Sequence, residues 1–122
     1  MPLGRPDDDR CELLGLKLPA AEQVRDSLPD AEELEAGAAR AKALGHPTRL
    51  QIACALMQAK EPMCVCDHSW VVGRTESLVS HHVRQLRAAG LAESERVGKM
   101  VLYELTPAGV TTLAAVKPQA VR

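Results

Sequence analysis

Gly73-Arg74-Thr75-Glu76-Ser77-Leu78-Val79-Ser80-His81-His82-Val83-Arg84-Gln85-Leu86-Arg87-Ala88-Ala89-Gly90 is the stretch whose reading decides the fold. Thr75 offers a short hydroxyl to cap a helix, Glu76 suits the positive end of its dipole, and Gly90 suits the stop after Ala89. Leu78, Val79, Val83 and Leu86 fall on one apolar stripe. Ser77, Ser80, His81, Arg84 and Ala88 fall largely on the opposite side, with Gln85 flanking. His82 lies four residues from both Leu78 and Leu86, so it flanks the core and is expected to be structural, with His81 the outward one.

The neighbouring segments turn this helix into a motif. Cys64 to Val72 reads as a short helix, Gly73 as a tight turn, and Thr75 as the cap of the next helix. Helix, glycine turn, helix is the helix-turn-helix pattern. The exposed hydroxyls, imidazole and guanidinium of the second helix are groups that donate to phosphates and reach base edges in a DNA major groove. Candidate DNA contacts are therefore Thr75, Ser77, Ser80, His81, Arg84 and Gln85. Downstream, Leu91–Arg96 and Met100–Leu105 read as two strands around Val97-Gly98-Lys99. Such a hairpin is a wing, and Arg96 and Lys99 near its tip are placed to meet phosphates or a minor groove. Thr106-Pro107 begins a last helix to about Val116.

Upstream, residues 20–28 form a short helix closed by Leu28-Pro29, and Asp30 caps a second that runs to about Leu44. Gly45-His46-Pro47 breaks the chain before a third helix, Pro47 to about Ala59. The expected fold is mainly α with a small β-hairpin, a winged helix-turn-helix. Residues 1–19 form a flexible arm carrying Cys11, 20–116 the DNA-binding and dimerisation domain, and 117–122 a tail.

Composition agrees. The 122 residues are enough for one compact domain with some extension. Trp70 and Tyr103 are the only large aromatics, so the core must be built of Leu, Val, Ala and Ile. The net charge of −1 hides a balance of −6 over residues 1–35 and +5 over 36–122, a modestly basic body behind an acidic leader. No apolar run approaches the roughly 18 residues of a membrane span, and the first residues lack the apolar heart of a signal peptide. No membrane partner and a cytoplasmic location are expected, where cysteines are more often free, metal-binding or catalytic than disulfide-bonded.

Cys64-Val65-Cys66 adds chemistry to the motif. Two thiolates two residues apart form a chelate for a soft ion. On a regular helix, positions i and i+2 point about 200° apart, so both thiols face one ion only from a frayed first turn, where Pro62 places them. Two thiolates rarely complete a site. Cys54, amid Ile52, Ala53, Ala55 and Leu56, reads as core packing, and His68 as a solvated helix histidine.

Ala43-Leu44-Gly45-His46-Pro47-Thr48-Arg49-Leu50, Val79-Ser80-His81-His82-Val83-Arg84-Gln85-Leu86-Arg87-Ala88-Ala89-Gly90-Leu91 and Tyr103-Glu104-Leu105-Thr106 together resemble the ArsR/SmtB family of metal-sensing repressors, over about residues 30–116. Cys64-Val65-Cys66-Asp67 narrows the resemblance to CadC-like cadmium/lead sensors and ArsR-like arsenic sensors. The resemblance implies a homodimer that represses a metal-resistance operon by binding double-stranded operator DNA, and that a bound metal loosens. It also implies a third thiolate, Cys11, from the arm, completed by water or an oxygen such as Glu12 or Asp67. CadC-like arms usually offer two cysteines, and here there is one. The implied effector is a cadmium or lead ion, with zinc and arsenite as alternatives. The last helix lacks the Asp and His ligands of the second zinc site found in some members; being apolar, it is expected to help form a dimer interface with the N-terminal helices.

Other classes fit less well. A thiol oxidoreductase would show Cys-x-x-Cys after a strand or a base paired with a nucleophile, and neither is present. A metal-storage protein has no use for a wing. An arsenite-responsive repressor and a thiol redox-sensing repressor of the same fold are the remaining alternatives.

Overall fold

The computed structural model describes residues 17–116. The chain divides into two units, Met1–Ala31 and Glu32–Arg122. The described part of the first is helix α1, Leu18–Asp26, none of whose residues is buried. It starts two residues earlier than its sequence suggested, because Pro19 sits in the first turn, where a missing N–H costs nothing. It ends at Ser27, whose hydroxyl donates to the Val24 carbonyl.

The second unit is built on helices α2 (Ala31–Ala43), α3 (Pro47–Gln58), α4 (Val65–Val72), α5 (Glu76–Ala88) and α6 (Pro107–Val116). In α2, Glu32 and Glu33 lie in the first turn and Arg40 and Lys42 in the last, each where the helix dipole favours its charge. His46 is extended, as a residue before proline must be, and Pro47 opens α3. The core gathers Ala43, Leu44, Ile52, Ala53, Leu56, Val79, Val83, Leu86, Leu91, Ala92, Tyr103 and Leu113. It is aliphatic apart from Tyr103, as the scarcity of aromatics requires.

The wing is larger than a hairpin. Strands β2 (Ala92–Val97) and β3 (Met100–Leu105) pair antiparallel, and a third strand, β1 (Met63–Cys64), pairs with the other edge of β3. The order is β1-β3-β2, with Met63 opposite Tyr103 and Cys64 opposite Leu102. Gly98 takes a φ of 62° and Lys99 does not turn positive. A positive φ at the first turn position alone is the type II′ hairpin pattern, which follows the twist of the strands. The pairing therefore extends through Val97↔Met100, and β2 covers Ala92–Val97 rather than Leu91–Arg96.

Helix α6 closes the core by close backbone contact. Thr106 donates from its hydroxyl to the Gly90 carbonyl at 2.7 Å and accepts from the Gly109 N–H at 3.0 Å. A Cβ on Gly109 would stand 2.0 Å from the Leu91 carbonyl oxygen, so only glycine lets α6 approach here.

Candidate nucleic-acid interface and metal centre

Helix α5 begins as the sequence requires. Thr75 is its N-cap, and its hydroxyl oxygen accepts the Leu78 N–H at 3.2 Å. Before it, Gly73 ends α4 in the left-handed conformation, φ 68° and ψ 34°, which a side chain would strain. Ser69 donates from its hydroxyl to the Arg74 carbonyl across this turn. Val79, Val83 and Leu86 are fully buried and His82 nearly so, whereas Leu78 is 36 % exposed. The stripe is thus centred one position further round the helix than Leu78 suggested, and His82 belongs to it.

The opposite face is open. Ser77, His81, Arg84 and Gln85 are exposed and Ser80 is half-buried. Arg84 donates from Nε to the Ser80 carbonyl at 3.2 Å, which holds the guanidinium along the helix. Arg96, on β2, and Lys99, in the wing turn, are both exposed. Arg87 donates to the Ser94 hydroxyl at 2.9 Å and ties the end of α5 to the base of the wing. Recognition helix and wing are therefore joined directly.

His82 is held from behind. Arg49, on α3, donates from Nε to its Nδ1 at 3.3 Å, and the rings of His46 and His81 lie 4.8 Å and 5.3 Å from its own. Burial pushes the His82 imidazole below its usual range, and the nearby charges of Arg49, His46, His81 and Arg74 add to this.

The thiol pair sits where strand becomes helix. Cys64 does not belong to α4: it is the end of β1 and the extended N-cap of the helix, φ −79° and ψ 165°, while Cys66 lies in the first helical turn. This change of backbone conformation, not a frayed turn, removes the 200° separation of a regular helix. The two Sγ atoms stand 3.0 Å apart. Cys64 is buried, Cys66 and Asp67 are exposed, and one ligand atom from each of the three lies within 4.8 Å of the others. The contact with Cys66 is the largest influence raising the Cys64 thiol above its usual range; an Asp67 backbone hydrogen bond opposes it, and burial adds to it. Metal–sulfur bonds of about 2.3 Å at tetrahedral angles hold sulfurs about 3.8 Å apart, so a modest side-chain rotation fits the pair to a thiophilic ion. Cys11 lies outside the described residues.

His68 corrects its sequence reading. It is fully buried, not solvated, with Nε2 at 3.0 Å from the Ile52 carbonyl of α3 and Nδ1 without a partner. Burial holds its imidazole below the usual range, against the opposing effect of that carbonyl. Val65 and Val72, three and four residues to either side, also pack on the core, a spacing that marks His68's face as inward. Cys54 is half-buried against the same core.

Residues 46–94 match the family described as bacterial regulatory protein, arsR family. The chain is 38 % identical over 95 residues to a transcriptional repressor SmtB homolog of Synechocystis, spanning 75 % of this chain and 70 % of that protein. It is 39 % identical over 64 residues to a cadmium resistance transcriptional regulatory protein CadC homolog of Staphylococcus aureus, 52 % of each chain. Its fold is similar to the homodimeric winged helix-turn-helix DNA-binding domain of a possible ArsR-family regulator from Mycobacterium bovis, with a TM-score of 0.62 at 25 % identity, covering 73 % of this chain and 83 % of that one. No described helix is long and apolar enough to cross a membrane. The chain belongs to the ArsR/SmtB family of metal-responsive, DNA-binding transcriptional repressors, and is a winged helix-turn-helix regulator rather than an enzyme.

Proposed function

We propose that this protein, as a homodimer, binds double-stranded operator DNA through α5 and the wing, and is released by a soft ion held by Cys64, Cys66 and Cys11. Cadmium or lead is the favoured effector, with Asp67 or water as an added ligand; zinc and arsenite are the alternatives. The observation that carries the reading is the 3.0 Å approach of Cys64 and Cys66 beside Asp67, at the start of the first helix of the helix-turn-helix. A bound ion supplies positive charge that keeps both thiols deprotonated. Thr75, Ser77, Ser80, His81, Arg84 and Gln85 serve the major groove, and Arg96 and Lys99 the backbone or minor groove.

The coupling has a physical route. Cys64 pairs with Leu102 of the wing on one side and caps α4 on the other. A ligand that draws Cys64 Sγ toward an ion therefore acts on wing and helix-turn-helix together. Such coupling is reciprocal and typically amounts to about 1–3 kcal/mol. The CadC homolog's similarity favours cadmium.

Gel shifts with DNA from upstream of the gene, run with cadmium, lead and arsenite, test the reading. Cys64→Ser is expected to bind operator and ignore all three. A normal metal response in Cys64→Ser refutes the site. Release by peroxide with no response to metal favours instead the thiol redox sensor that the Sγ–Sγ approach also suits.

A further inference from the structure

Trp70 is 86 % exposed and Val71 52 % exposed. Single exposed apolar residues are ordinary, but these two adjoin an apolar cavity. It has a volume of about 370 Å³ and is walled by Cys54, Ala55, Ala59, Met63 and Val71, with Gln58 at its polar side. The cavity borders the thiol pair. Met63 directly precedes Cys64, and Val71 stands one helical turn after Asp67, as Trp70 does after Cys66. Helical side chains lean toward the helix N-terminus, which directs Trp70 over Cys66.

We propose that this surface seats the leucines that follow Cys11, Leu13, Leu14 and Leu16, once metal is bound. The proposal rests on the metal-sensing reading with Cys11 as a ligand. Leu13 lies two residues beyond Cys11 and Leu16 five. At roughly 3.5 Å per extended residue, they reach at most about 7 Å and 18 Å from it. Ligation of Cys11 therefore delivers three large apolar side chains to the edge of an apolar cavity. The other residues around Cys11, Asp7, Asp8, Asp9, Arg10 and Glu12, are all charged and unsuited to it. The ligand tether raises the local concentration of the leucines, and their burial in turn strengthens ion binding. The single arm cysteine is thereby supplemented by apolar contact.

Trp70 is the only tryptophan, so its emission reports on this surface alone. The test titrates the full chain with cadmium ions and follows sulfur-to-metal absorption, emission wavelength and quenching by acrylamide. Wild type is expected to gain the absorption band, shift its emission to shorter wavelength and become less quenchable. A Leu13→Ser, Leu14→Ser protein is expected to keep the band, lose the shift and the protection, and bind cadmium about tenfold more weakly. Band without protection in wild type, or full protection in the serine variant, overturns the docking alone. No band in wild type overturns the metal reading and the docking with it. Protection that is independent of metal and rises with protein concentration assigns the surface to a second copy and also overturns the proposal.

Discussion

Arg49 donates to His82 across 3.3 Å, joining the first turn of α3 to the buried side of the recognition helix. The bond needs Nδ1 as an acceptor, so the proton of the neutral ring sits on Nε2. Protonation of His82 would abolish the bond and set a second positive charge beside Arg49.

That requirement gives a pH dependence. Burial first, then the charges around it, keeps His82 below its ordinary value of about 6.5 in the folded protein. The unfolded chain therefore binds the proton more readily. Above about pH 6.5 His82 contributes no slope, and as pH falls below it the fold loses stability, down to the depressed folded value. Urea midpoints measured between about pH 7.5 and pH 5 should fall less steeply in His82→Gln than in wild type. Equal slopes would refute the assignment. Buried His68 acts in the same direction, so some slope remains.

His68 fills a core position with one hydrogen bond made and one ring nitrogen unpartnered. His68→Ala should cost about 3 kcal/mol through the cavity it leaves. His68→Leu, close in volume, should cost less than about 1.5 kcal/mol, because no orphaned nitrogen remains. Urea denaturation separates the two; equal losses would sink the packing argument.

At Gly109 the issue is space. The 2.0 Å approach to the Leu91 oxygen forces α6 to move if a methyl is added. Gly109→Ala should lose about 3 kcal/mol. Thermal unfolding within a degree or two of wild type would show that the helix shifts freely.

Thr75 and Arg84 should separate folding from recognition. Thr75→Ala removes the cap on Leu78 and should cost about 1 kcal/mol of stability. Arg84→Ala loses only a bond to its own helix, so stability should hold while operator affinity falls roughly 10- to 100-fold. A gel-shift titration beside a urea curve checks both.

Lys99, at the wing turn, is exposed and is expected to meet phosphate rather than bases. Lys99→Ala should weaken binding to all DNA sequences alike and lower the salt slope by about 1. Loss confined to one operator sequence would contradict this role.

Much of this architecture was legible because its signals are local. The apolar period of α5, the Thr75 cap and the stops at Gly73 and Gly90 act within a few residues. The hairpin turn around Gly98 is equally short-range. The adjacency of Cys64 and Cys66 needed only their spacing.

What stayed hidden depends on partners distant in the chain. β1 has only two residues and no strand pattern of its own; it exists because Met63 and Cys64 find β3 some forty positions on. His68 looked solvated because an imidazole suits water as well as a core, and only the Ile52 carbonyl, sixteen residues away, decides. The Arg49–His82 bond spans thirty-three residues in the same way. Thus the chain by itself determined where helices start and stop, which face of α5 is apolar, and which thiols are neighbours. Tertiary structure alone decided that Cys64 is both wing strand and helix cap. Backbone hydrogen bonds between strands carry no side-chain signature, so the junction between metal chemistry and DNA reading emerges only when the chain folds.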